Sequence, residues 1–220
     1  GLDTDSPVVV VHQGADQTDF GSAARVYWTL KSSGFTDLAV LNGGMSGWQA
    51  AGGAVATGPG PDVAPSDITV QFSDEWLATR AEVRDIVEGR DDARLVDARP
   101  EAFWQGETKH PAAARPGTIP QSQYFTHDRW FGSDTPSRIK PELVRRLAAE
   151  NGFAAGDRLV SFCNTGHWAA TNWFALSEVA GIENVRLYPE SVVGWSNAGF
   201  DMANVPGLVQ NLINKITGVY

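Results

Sequence analysis

The 220-residue chain holds one cysteine and two methionines, and its 17 lysines and arginines are outnumbered by 26 aspartates and glutamates, for a formal net charge of −9. A single cysteine excludes an internal disulfide and a multi-thiolate zinc site. The acidic balance lacks the basic footprint of a nucleic-acid binder, so no nucleic-acid partner is expected. No apolar run approaches the roughly 18 residues of a membrane span. The four histidines, His12, His110, His127 and His167, show no ligand spacing, so no metal is expected. Gly43, Gly44 and Gly47 do not form a dinucleotide fingerprint and no Walker pattern occurs, so no cofactor is expected either. The first residue is glycine, without a charged-then-apolar leader after it, and the compartment stays open between cytoplasm and bacterial periplasm.

What the chain does have is alternation. The apolar run 7–11 (PVVVV) reads as a fully buried strand, followed by a polar loop over 12–20 and a helix over 22–33 that Gly34 stops. A short strand at 38–41 and a turn with a short helix from 43 come next. Residues 52–65, rich in Gly, Pro and Ala, read as a linker. Beyond it the pattern gives a short strand at 70–72, a helix over 73–87 capped by Ser73, and a buried strand at 94–98. A long irregular stretch covers 99–129, and an amphipathic helix covers 140–151. The last part reads as a strand at 158–162, a helix over 169–180, a strand at 185–188 and a short helix over 193–198. Strands alternating with helices imply an α/β fold with a parallel sheet flanked by helices.

The chain also repeats itself. Shifted by 147 residues, Ser22 falls on Ala169, Gly34 on Gly181, Gly47 and Trp48 on Gly194 and Trp195, and Gly52 on Gly199. The first copy has no counterpart of 68–158, and a unit of that size should not bury its strands alone. The expected organisation is therefore 1–52 as the second half of a non-catalytic domain, 53–67 as linker, 68–205 as one complete catalytic domain, and 206–220 as a helical tail with Leu208, Leu212, Ile213 and Ile216 on one face. The chain is expected to be the C-terminal portion of a longer protein, with a missing N-terminal half-domain as covalent or separate partner.

The lone cysteine stands in SFCNTGHWAATNW (161–173), at the end of an apolar run and just before a helix. By itself such a thiol is either a small core hydrophobe or a reactive group. Its surroundings favour the second. The segments VLNGGMSGWQAAG, LVDARPEAFWQGE, RPGTIPQSQYF and FCNTGHWAA, in this order and spacing, resemble the rhodanese family of two-domain sulfurtransferases. Thr118 stands where the family's Gly-His-Ile-Pro-Gly-Ala signature has His, and Gln121 where it has the second Gly. The resemblance implies a rhodanese-like sheet and a catalytic Cys163. It further implies a sulfane-sulfur donor such as thiosulfate or mercaptopyruvate, and a thiol or cyanide acceptor.

Sulfur transfer needs a thiolate that then stores a persulfide, and free cysteine, with a pKa near ~8.5, is mostly protonated at neutral pH. The loop Asn164, Thr165, Gly166, His167, Trp168, Ala169 can turn its amides inward as an anion cradle. The helix after it adds roughly 0.3–1 kcal/mol of favourable field. Asp97 and Arg99 are expected to pair and support the loop from a strand end. Phe103, Trp104, Trp168 and Trp195 suggest an aromatic pocket, with Arg115, Lys109 and His110 within reach of its mouth. Phe103 stands where the resemblance implies a clamping Arg, and the loop has no basic residue except His167, which can replace the clamp when protonated. Two rivals follow. A Cys-based phosphatase needs a loop one residue longer that ends in Arg. A rhodanese-like binding module or persulfide carrier needs no donor turnover at all.

Overall fold

The computed structural model describes residues 1–133, 135–207, 210, 214, 216 and 218. Leu208, Leu212 and Ile213 of the expected tail face lie outside the described residues. The centre is a four-stranded all-parallel sheet, β4 (Gln123–Tyr124), β3 (Arg94–Asp97), β7 (Arg158–Phe162) and β8 (Asn184–Leu187), in that order. Its register pairs Leu95 with Val160 and Leu159 with Val185. β3 and β7 each carry adjacent apolar residues, Leu95–Val96 and Leu159–Val160, because both faces of the sheet are covered, as in parallel sheets generally. Successive side chains alternate between two cores. Leu95, Val160 and Phe162 join Val83, Ile86, Val192 and Trp195, while Val96, Leu159, Val185 and Leu187 join Ala169, Ala170 and Trp173.

The first copy contributes β1 (Val8–Val10), α1 (Gln17–Ser32), β2 (Leu38–Val40) and α2 (Gly44–Ala50). β1 and β2 form a separate two-stranded parallel ladder. The expected full burial of 7–11 is not met. Val10 joins the buried core, but Val9 and Val11, which alternate to the opposite face of the ladder, are 57% and 49% exposed.

α1 starts five residues earlier than its apolar period predicts. Asp16 caps it by accepting the Asp19 N–H at 2.9 Å, so the first turn is built from polar residues. Its small residues allow a close approach to α6 (His167–Phe174): a Cβ on Gly21 would stand 3.0 Å from the His167 carbonyl oxygen and 3.1 Å from Thr171 Oγ1. Phe20, Ala23, Ala24, Tyr27 and Trp28 thus share one core with Ala169, Ala170, Trp173 and Leu176. At the far end of the contact Lys31 Nζ and the Tyr27 hydroxyl donate to the Glu178 carboxylate at 2.8 and 2.9 Å. Glu178 lies in a π-helical turn, Ala175–Val179, that continues α6.

The helix expected over 73–87 is shorter. α3 (Arg80–Val87) begins after Thr79, whose hydroxyl and Glu82 form a reciprocal capping box, and Leu77 instead makes a parallel bridge to Leu187. Residues 70–72 form no strand; Phe72 packs edge-on against Trp28. The stretch expected to be irregular holds α4 (Glu101–Trp104), β4 and a 3₁₀ turn (His127–Trp130). An antiparallel hairpin of β5 (Phe131–Gly132) and β6 (Thr135–Ile139) leads into α5 (Pro141–Glu150). α7 (Ser191–Asn197) closes the second copy.

Candidate active site

Cys163 follows the last residue of β7, at the carboxyl edge of the sheet. Its backbone is fixed from two sides. Its N–H donates to Ser191 Oγ at 3.0 Å, and its carbonyl accepts from Val192 N at 3.0 Å. Ser191 sits at φ 52, a left-handed conformation that costs a side-chain-bearing residue roughly 1–2 kcal/mol. Its hydroxyl donates to the Tyr188 carbonyl at 2.9 Å, which ties the start of α7 to the cysteine. Beyond the cysteine the chain turns through Gly166 at φ 92 and enters α6.

Of the expected amide cradle, one N–H reaches the sulfur: Gly166 N donates to Cys163 Sγ at 3.1 Å. His167, Trp168 and Ala169 form the first turn of α6, where backbone N–H groups have no intrahelical acceptor. Cys163 is 2% exposed, yet it lines a cavity of about 190 Å³ together with Thr18, His110, Asn164, Thr165, His167 and Trp168. One of its lining residues, Thr18, belongs to α1 of the first copy.

Trp168 forms a wall of this cavity and is held on three sides. Its indole N–H donates to Thr18 Oγ1 at 3.0 Å, its ring stacks on His127 at 4.8 Å and 8°, and Phe103 meets it at 6.1 Å in an edge contact. His127 Nδ1 lies 3.0 Å from the Ala98 carbonyl oxygen, which can only accept, so that nitrogen carries the proton. Burial pushes the pKa of His127 down, and the ring stays neutral at neutral pH.

The expected Asp97–Arg99 pair is present and almost wholly buried, with Arg99 Nε and Nη2 donating to the carboxylate at 2.9 and 2.6 Å. Arg99 reaches on to Asn164 Oδ1 at 3.4 Å and to the Gly117 carbonyl at 2.9 Å. Thr118, at the signature's histidine position, donates to Asp97 Oδ2 at 2.7 Å. The pair therefore braces the Cys163 loop and the 117–118 turn at once.

Other expected pocket residues lie elsewhere. Trp195 is 1% exposed, sits in the core on the other face of the sheet and donates to the Asp201 carbonyl at 2.8 Å. Arg115 is bound to the Phe200 carbonyl, Lys109 to the Ala113 carbonyl, and Trp104 packs against Tyr124. None of the four lines the cavity, and Phe103 touches it only through Trp168. Ala169 is fully buried. His167 does line the cavity, but not as a cationic clamp: burial, and then the charge of Arg25, hold its pKa below the usual imidazole value. Thr18, Arg25 and His127 were not expected at the site. The one signal for the first two is the small-residue run Gly21–Ala24, which marks α1 as a tightly packed partner of α6.

The first copy repeats the same architecture without a cysteine. Met45 N donates to the His12 carbonyl and Ser46 N to the Gln13 carbonyl, as Val192 N does to Cys163 and Val193 N to Asn164. His12 therefore occupies the place of Cys163. The Asp19 carboxylate folds back onto this loop and accepts from Gly14 N at 2.6 Å, Ala15 N at 3.1 Å and His12 Nδ1 at 2.9 Å. Burial alone would raise the Asp19 pKa, but His12 and these amides outweigh it and hold the group below its ordinary value.

A family model described as a rhodanese-like domain matches residues 79–198. A Pseudomonas aeruginosa protein named as a probable 3-mercaptopyruvate sulfurtransferase is 33% identical over 196 residues, covering 89% of this chain and 66% of its own. The 3-mercaptopyruvate sulfurtransferase of Rattus norvegicus is 28% identical over 190 residues, covering 85% of this chain and 62% of its own. The chain thus spans just under two thirds of the length of these relatives. The wild-type structure of EanB superposes with a TM-score of 0.78 at 21% identity, over 94% of this chain and 52% of that one, a likeness of fold.

Proposed function

The chain belongs to the rhodanese family, and from that premise we propose that it moves sulfane sulfur from a small anionic donor to a thiol or cyanide through a persulfide on Cys163. Thiosulfate and mercaptopyruvate are the donors of choice, the latter supported by the names of two relatives. In the first half-reaction the Cys163 thiolate attacks the donor's outer sulfur. With thiosulfate a new S–S bond forms at Cys163, the bond to the sulfonate group breaks, and its electron pair leaves with sulfite. With mercaptopyruvate the C–S bond breaks, the donor's thiol proton goes to the methylene carbon, and pyruvate leaves. In the second half-reaction the acceptor takes the outer sulfur and returns the thiolate.

The observation that carries this reading is the placement of the only cysteine: its sulfur accepts the Gly166 amide at the start of α6 and opens on a cavity sized for a small donor. Residues 68–205 form the catalytic unit in this reading, and the 1–52 segment belongs to a preceding domain whose other half is a covalent or separate partner. The test is intact mass before and after incubation with thiosulfate or mercaptopyruvate. A gain of one sulfur atom, lost on cyanide treatment and absent in Cys163→Ser, is the expected result. No uptake from any donor favours the binding-module reading, which the absence of Lys and Arg among the cavity-lining residues keeps in play.

A further inference from the structure

Arg25 belongs to α1 in the first copy, yet its guanidinium packs against the Cys163 loop. A Cβ on Gly166 would collide with Arg25 Nη1, and the amide of that same glycine donates to Cys163 Sγ. On its other side the guanidinium carbon stands 4.9 Å from the centre of the Trp28 ring. The side chain is half-buried, and among the described residues no carboxylate is paired with it. Burial lowers its pKa, and the charge of Cys163 opposes that shift. The same cation is what, after burial, keeps His167 neutral.

A partly buried cation without a carboxylate loses hydration that the face of Trp28 repays only in part. The sulfur-transfer cycle supplies the missing counter-charge. One negative charge stays on the loop throughout, first as the thiolate and then, after two charges have left with sulfite, as the persulfide. We propose that Arg25 is the counter-cation of the Cys163 loop, a positioning residue that acts through Gly166 and makes the first copy a working part of the sulfur-transfer site. The proposal rests on the sulfurtransferase reading for its purpose, but its electrostatic content can be measured apart from sulfur transfer.

Because Cys163 is the only cysteine, alkylation reports on it alone. The measurement is the rate of alkylation by iodoacetate, an anion, divided by the rate with neutral iodoacetamide, at low ionic strength. Arg25→Gln is expected to lower this ratio about tenfold, the scale of local charge on the approach of an ion. Arg25→Lys is expected to keep most of it. Salt at about 1 M, where the screening length is near 3 Å, is expected to reduce the wild-type ratio toward that of Arg25→Gln. The rate of sulfur loading from thiosulfate should fall in parallel with the ratio. Equal slowing of both reagents means a structural role and overturns the proposal, as does an unchanged ratio. If Arg25→Gln does not fold, a salt-insensitive wild-type ratio overturns it as well. Failure of the function reading is seen separately, as wild-type protein that alkylates normally but never gains sulfur.

Discussion

The indole N–H of Trp168 donates to the hydroxyl of Thr18, 150 positions earlier in the chain, across 3.0 Å. One bond thus joins the wall of the cavity to the helix of the other copy. Thr18→Val keeps the shape and removes the acceptor, at a net cost of about 0.5–1.5 kcal/mol. The expected outcome is a several-fold slower loading of Cys163, with a drop in global stability no larger than that cost. Intact-mass time courses and urea midpoints check it; equal midpoints with equal loading rates would count against any role for Thr18.

Gly166 is needed on two grounds, its φ of 92 and the Arg25 side chain beside its Cα. Gly166→Ala forces a side-chain-bearing residue into the left-handed region at roughly 1–2 kcal/mol and displaces the guanidinium. Sulfur loading should drop by more than that stability loss explains. Denaturant melts and single-turnover loading, measured on the same preparation, separate the two effects.

Asp97 and Arg99 are buried together, so removing one leaves the other uncompensated. Arg99→Met is expected to destabilise by about 3–5 kcal/mol, and adding Asp97→Asn should recover part of that loss. The readout is the double-mutant cycle in urea. A cost within a few tenths of a kcal/mol for the single variant would show that the pair does not brace the loop.

His127 gives the protein a pH dependence of predictable sign. Its folded pKa lies below the unfolded value of about 6.5, so the unfolded chain takes up the proton more readily. The stability contributed by the neutral ring is complete above that value and is lost as pH falls below it. In wild type the urea midpoint should fall between pH 7 and pH 5. His127→Gln should flatten that slope and slacken the stack on Trp168, read as a change in tryptophan fluorescence.

Much of this was legible in the sequence, for identifiable reasons. β7 and β8 are short apolar runs without helical period, and Gly166 and Gly181 mark the ends of a helix. The repeat showed that His12 heads a loop without a cysteine. What stayed hidden depends on contacts between distant positions. The start of α1 is polar, so its apolar period begins a full turn late. Ser73 and Thr79 both look like caps, and only the Glu82 reciprocity decides for Thr79. Trp168 and Trp195 have the same composition signal, but one faces a cavity and the other a core, which only the sheet's two faces distinguish. Arg25 carries no motif; its meaning comes from the packing of α1 on α6.

The loop at His12 ends with a lesson about competition. Its amides already hold an anion, the carboxylate of Asp19, tethered by the chain itself, so any free anion competes with an intramolecular one. A free anion arriving at this loop finds its amides occupied from within. In the sulfurtransferase reading, the duplicated architecture thus offers no second seat that would draw an anionic donor away from Cys163.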